Sequence, residues 1–129
     1  MNLVVVPAYA AIFALMLVFL SVRVANMRRE MRVTLGDGGH RTLQRRIRVQ
    51  GNFIEYVPMA LILLAFVELQ GWPRWLLNVL CLILLAARIV HAYGVGREPE
   101  SIPLRATGMA TTGTLLIAMA LLLIYGTIR

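Results

Sequence analysis

The chain has 129 residues, 60% of them hydrophobic, and a formal charge of +7. A membrane-spanning helix takes about 20 residues, so four apolar segments and their connections use up the length and exclude a separate soluble catalytic domain. The 13 basic residues are all arginine; most crowd into one connection without aromatic interleaving, which points to membrane topology and anionic head-group contact and away from nucleic acid.

Residues 3–22 carry no charge and form the first span, with Pro7 in the opening turns, where a missing N–H is tolerated. The positive cluster follows this apolar run, the reverse of a cleavable signal. Residues 23–46 hold Arg23, Arg28, Arg29, Arg32, Arg41, Arg45 and Arg46, interrupted by Gly36, Gly38 and Gly39. This stretch lacks the pattern of a phosphate-binding loop and reads as a flexible connection between two helices.

Residues 45–69 are expected to form the second helix. At about 100° per residue, Arg48, Asn52, Glu55 and Met59 fall within an arc of roughly 60°, one polar face on a segment that turns wholly apolar from Val57 to Val67. An ionised carboxylate inside a span costs at least a few kcal/mol unless paired or hydrated, so Glu55 is either a functional group or a lock between helices. Pro58 removes a backbone donor just beyond it and is expected to bend the helix slightly. Gly71-Trp72-Pro73-Arg74-Trp75 reads as an interfacial hairpin.

The third span is apolar until Arg88, with His91 and Val95 on the same face at i+3 and i+7. Cys81, the only cysteine, lies within it as a small packing residue, and neither a disulfide framework nor a thiolate metal cluster is possible. The fourth span opens with Arg105 and carries Gly108, Ala110, Thr111, Thr112 and Gly113, small residues that permit close helix packing. The expected fold is therefore an all-α four-helix membrane bundle, one domain over residues 1–129, with spans near 3–25, 45–70, 74–95 and 104–126. Arginine counts place the first and third connections in the cytoplasm and both termini on the opposite face.

Depth links the polar residues. Counting inward from Leu69 and Trp75 at about 1.5 Å per residue puts Glu55 and Arg88 both roughly 20 Å from the outer interface, with Asn52 and His91 in the next layer and Arg48, Val95 and Arg105 beyond. Glu55 and Arg88 can then neutralise one another where neighbouring faces meet. Guanidinium forks, a carboxylate, an amide and a histidine suit a small zwitterionic polyanion; glutathione has both functions. Arg105 could hold a bound thiol as thiolate, or equally be a snorkelling interfacial arginine. His91 also fits a structural hydrogen-bonding role, and no second ligand stands at metal spacing beside it, so no metal is expected. Tyr93 leaves the Arg88 face and reads as packing. Gln50 points away from Arg48 and can reach a ligand only at a boundary with another helix or subunit.

The run Arg48-x-x-x-Asn52-x-x-Glu55-Tyr56-x-Pro58 resembles the second-helix signature of the MAPEG family, the membrane-associated proteins in eicosanoid and glutathione metabolism, and Arg88-x-x-His91 is similar to its third-helix pattern. The likeness extends over nearly the whole chain. It implies a homotrimer in a bilayer, with glutathione as co-substrate held between neighbours by Arg48, Gln50, Asn52, Glu55, Tyr56, Arg88 and His91, and with Arg23 reaching a glutathione carboxylate. It implies further that Arg105 stabilises the thiolate that attacks a lipophilic electrophile. Gly51 and Val95 depart from the prostaglandin-synthase pattern and point away from eicosanoid chemistry.

Three readings follow: a glutathione-dependent transferase or peroxidase, a non-catalytic trimeric protein that keeps the pocket for binding or scaffolding, and a small proton-coupled exporter. The last expects an essential carboxylate in the first span, which has none. All-arginine basic content and short loops suggest a bacterial inner membrane.

Overall fold

The computed structural model describes residues 2–129 and consists of four helices: α1 (Val5–Met31), α2 (Arg41–Leu69), α3 (Arg74–Gly96) and α4 (Ile102–Ile128). All four are long and apolar enough to cross a membrane. Successive helices run antiparallel. Contacts between α1 and α2 pair Val4 with Glu68, Ser21 with Gln50 and Arg23 with Arg46, and Gln70 meets Leu123 near the end of α4. Both described chain ends and the 70–73 turn therefore share one face of the bundle, and the 32–40 and 97–101 connections share the other.

Both α2 and α3 pack against all three other helices, whereas α1 and α4 do not touch one another. α2 has the longest core-facing stripe. Its fully or nearly fully buried residues, Val49, Phe53, Val57, Ala60, Leu64 and Val67, recur every three or four positions and form one stripe. Leu77, Cys81 and Leu84 of α3 and Phe13 of α1 complete the core. In lipid, where the surroundings are as apolar as the core, this stripe holds the helices together by close packing rather than by exclusion of water. Two glycines set the α3–α4 distance. A methyl on Gly108 would lie 2.6 Å from His91 Cβ and 2.8 Å from the Ala87 carbonyl oxygen, and one on Gly94 would lie 2.7 Å from the Arg105 amide nitrogen.

The arginine-rich stretch departs from the expected loose connection. α1 continues to Met31 and α2 begins at Arg41 rather than at Arg45, which leaves only residues 32–40 between them. Arginine is a good helix former, and a helix satisfies its own backbone whatever the solvent, so neither helix stops where the apolar run does. The extensions are also packed: Val24, Met27 and Leu43 form a small separate core, with Met31, Val33 and Ile47 at its edge. Gly36, Gly38 and Gly39 take the positive φ angles that reverse the chain in so few residues.

At the opposite face, Glu68 performs a task that its place in α2 does not advertise. The first N–H groups of α1 have no side-chain cap of their own. The Glu68 carboxylate supplies one from the end of α2, accepting from Val4 N at 2.8 Å and Val5 N at 2.6 Å through Oε1 and from Val6 N at 2.8 Å through Oε2. A carboxylate at a helix N-terminus also meets the positive end of the helix dipole. Nearby, Gln70 donates to the Leu123 carbonyl and accepts from Trp72 Nε1, which ties the hairpin to α4.

Candidate functional site

An open cavity of about 570 Å³ lies at the face carrying the 32–40 and 97–101 connections. α2 lines it with Arg41, Gln44, Arg45, Arg48 and Asn52, α3 with His91 and Val95, and the last connection and α4 with Glu100, Arg105 and Met109. Helical spacing explains the α2 contribution: Arg41, Gln44, Arg45, Arg48 and Asn52 fall within roughly 100° of one another around the axis. Four guanidinium groups thus face one carboxylate.

Beneath this cavity lies Arg88, the largest fully buried side chain of the protein at 1% exposure. Its Nη2 donates to Asn52 Oδ1 and lies 3.4 Å from His91 Nδ1, and its Nη1 reaches Thr112 Oγ1 at 3.5 Å and the Met109 sulfur at 4.0 Å. Thr112, itself fully buried, directs its hydroxyl proton to the Gly108 carbonyl oxygen, which leaves its lone pairs for the arginine. Every partner of Arg88 is neutral. Among the described residues no carboxylate lies within 4.0 Å of it, and its Nε has no hydrogen-bond partner. A buried cation whose direct partners are all dipoles retains much of its attraction for an anion. Asn52, His91 and Met109 touch both Arg88 and the cavity, so the charge sits directly behind the floor.

The polar face expected on α2 is divided by the packing. Asn52 is buried, whereas Glu55, about 60° further round the helix, has a side chain 51% exposed and pairs with Arg48 at 3.4 Å on the outer surface. The expected direct pairing of Glu55 with Arg88 is therefore not made, although the carboxylate stays near enough for its charge to be felt at the guanidinium. The two lie at comparable depth, but the same turn of helix that brings Asn52 against α3 swings Glu55 outward.

Arg48, Asn52, His91 and Arg105 are brought together at the cavity with Arg88 behind them. Gln50, Glu55, Tyr56 and Arg23 are not. Gln50 is spent within the protomer on Ser21 Oγ at 2.8 Å, and Tyr56 is half-buried away from the cavity. The Arg23 guanidinium lies 5.8 Å over the ring of Phe19, on a helix that does not reach α4. Sequence reasoning missed Arg41, Gln44, Arg45, Glu100, Met109 and Thr112. Arg45 already lies in the expected helix one turn before Arg48 and could have been found there, whereas Arg41 and Gln44 join that face only once α2 is known to start at Arg41. Nothing in the sequence marks Glu100, because a loop has no periodicity to read.

A second, shallow groove of about 230 Å³ opens sideways between α3 and α4. Its walls are Ile83, Ala86, Ala87, Val90, Thr107, Gly108 and Thr111, almost wholly apolar, and Gly108 and Ala87 separate it from the Arg88 and His91 layer.

Residues 6–125 match the model of the MAPEG family. The chain belongs to the MAPEG family. It is 38% identical over 113 residues, 88% of this chain and 85% of the relative, to "Inner membrane protein YecN" of Escherichia coli strain K12. The protein of the same name from Escherichia coli O6:H1 matches to the same extent. Membership accords with the four apolar helices, and this MAPEG protein is a membrane protein. The second-helix run is carried by α2 and the Arg88-x-x-His91 pair by α3, so the two segments that carry the resemblance meet at the buried Arg88–Asn52 contact.

Proposed function

We propose that this MAPEG protein binds glutathione in the arginine-lined cavity and transfers it to, or uses it to reduce, lipophilic electrophiles. The observation that carries the reading is Arg88, a buried guanidinium without a carboxylate, under a cavity whose rim holds Arg41, Arg45, Arg48 and Arg105. Glutathione supplies the two carboxylates that such an array lacks, and bidentate guanidinium forks hold carboxylates with defined geometry. Arg105 is the group proposed to face the sulfur. A guanidinium beside a thiol favours the thiolate, the nucleophilic form. In conjugation the sulfur lone pair forms a C–S bond to the electrophilic carbon while the leaving group departs with its bonding pair. The α3–α4 groove is open on the side where lipid would lie, and a lipophilic acceptor can approach along it.

The reading includes a homotrimer in a bacterial inner membrane, with the arginine-rich face cytoplasmic and the termini periplasmic. The Arg48–Glu55 pair supports assembly: both side chains are about half exposed on an apolar helix, where lipid contact is costly and a second copy could cover them. Across such an interface Glu55 becomes available to a ligand's ammonium group; Gln50, Tyr56 and Arg23 are proposed to reach the ligand only where a neighbouring subunit brings it to their own faces.

The test uses purified protein, glutathione and an activated aryl halide, with thiolate formation followed by ultraviolet absorbance. Conjugation that falls at least tenfold in Arg105→Ala supports the reading, since transition-state charge contacts of this kind are worth about that or more. Absence of any glutathione-dependent signal removes it. Thermal stabilisation by glutathione without turnover would favour the second reading, a binding or scaffolding protein.

A further inference from the structure

The connection between α3 and α4 does more than join them. It is tied back by Arg97 N donating to Tyr93 O at 3.3 Å and Ser101 N donating to Gly94 O at 3.0 Å, and it presents two carboxylates to the arginines of the cavity. Glu98 lies 3.5 Å from Arg45 Nε and accepts from Thr42 Oγ1 at 3.2 Å, with its side chain half exposed at the rim. Glu100 reaches further. Its Oε1 accepts from Arg105 Nη1 at 2.8 Å, its Oε2 lies 3.6 Å from Arg45 Nη1, and it is the one acidic residue lining the cavity. The guanidinium groups on the two sides of the cavity, one from α2 and one from α4, are thus bridged by a carboxylate of the chain itself.

We propose that Glu100 is a displaceable internal anion that gates the cavity by competing for Arg45 and Arg105, so that only ligands with more than one negative charge bind appreciably. An incoming anion must replace Glu100 on Arg45 and Arg105 before it can use either. A monoanion that does so exchanges one carboxylate for another and gains little. A dianion or dicarboxylate holds Arg45 and Arg105 and has charge left for Arg41, which no carboxylate engages among the described residues, and for the buried Arg88 behind them. Glu100 is only 20% exposed, but it borders an open cavity and its Arg105 partner is 53% exposed, so water and an arriving anion can reach the pair and exchange with it. Glu100 would therefore exclude the abundant small monoanions without closing the cavity to a polyanion. The proposal rests on the cavity being an anion site, as the proposed function does, but it requires neither glutathione nor catalysis.

The experiment measures affinities for inorganic sulfate and for acetate, by calorimetry, in nanodiscs of phosphatidylcholine so that no anionic lipid competes. The wild-type chain is expected to bind sulfate at least about tenfold more tightly than acetate, and Glu100→Gln to bind both anions at least about fivefold more tightly, since both displace the same carboxylate. Glu98→Gln, which neutralises the carboxylate at the rim, should change either affinity by less than about twofold. Unchanged or weakened acetate binding in Glu100→Gln, equal effects of the two substitutions, or no sulfate binding by either protein would overturn the proposal. If the gating pattern is found and glutathione conjugation is absent, only the enzymatic reading falls; if conjugation proceeds and Glu100→Gln changes nothing, only the gate falls.

Discussion

Glu68 and Arg88 are both buried charges within apolar helices, and the bundle treats them in opposite ways. Glu68 receives three backbone N–H groups from the start of α1, each within 2.8 Å, and these hold the negative charge against its burial. Arg88 is surrounded by an amide, a threonine, a histidine and a thioether, with one nitrogen left without a partner. Beside Arg88 lies a cavity of about 570 Å³ lined with further arginines. A buried charge whose partners are complete holds a structure together. One whose partners are incomplete, next to open space, is arranged for something that arrives later.

The largest expected effect tests the first half of that contrast. Glu68→Ala strands three N–H groups at a buried helix start and should destabilise the detergent-solubilised protein by about 3 kcal/mol, read as a drop in Tm. Its response to anionic ligands should be that of the wild type.

Arg88→Met tests the second half, with the opposite sign. Removing a buried charge that lacks a counter-ion and replacing it with an apolar chain of similar length should leave the ligand-free protein as stable as before, or more stable by about 1 kcal/mol. Stabilisation by glutathione should disappear. A large loss of ligand-free stability would show instead that Arg88, like Glu68, is a structural fastener, and the comparison would fail.

A smaller pair of substitutions tests the packing that positions the site. Gly108→Ala places a methyl against His91 and the Ala87 carbonyl and should cost about 1–3 kcal/mol, since two backbones must separate to admit it. Gly113→Ala, five residues along the same helix, meets nothing within 4 Å and should change stability by less than about 1 kcal/mol, in the stabilising direction. Ligand affinity should fall with the first and not with the second, because Gly108, unlike Gly113, lies against His91 where α3 and α4 meet.

Much of this architecture can be read in one dimension. Runs of about 20 apolar residues and the hairpin at Gly71-Trp72-Pro73 leave four helices as the only economical arrangement in a bilayer, because a backbone without water must satisfy itself. The same residues carry the family resemblance, and periodicity places Arg48 and Asn52, like Arg88 and His91, on shared helix faces. Depth counting also brought Asn52, Arg88 and His91 to neighbouring layers, and the structure joins them.

What the sequence could not decide is rotation about each helix axis and the path of the loops. Glu55 and Asn52 are three residues apart and nearly equal in depth, yet one faces outward with Arg48 and the other inward to Arg88. Glu68 looks like a stray acid near a helix end until α1 is laid antiparallel beside it, and Glu100 looks like a loop residue until its connection folds back over α2. Helical periodicity and hydropathy are local properties, determined by residues within a few positions of one another. Which carboxylate meets which cation depends on how separate helices are turned and paired, and that is settled only when the whole bundle packs.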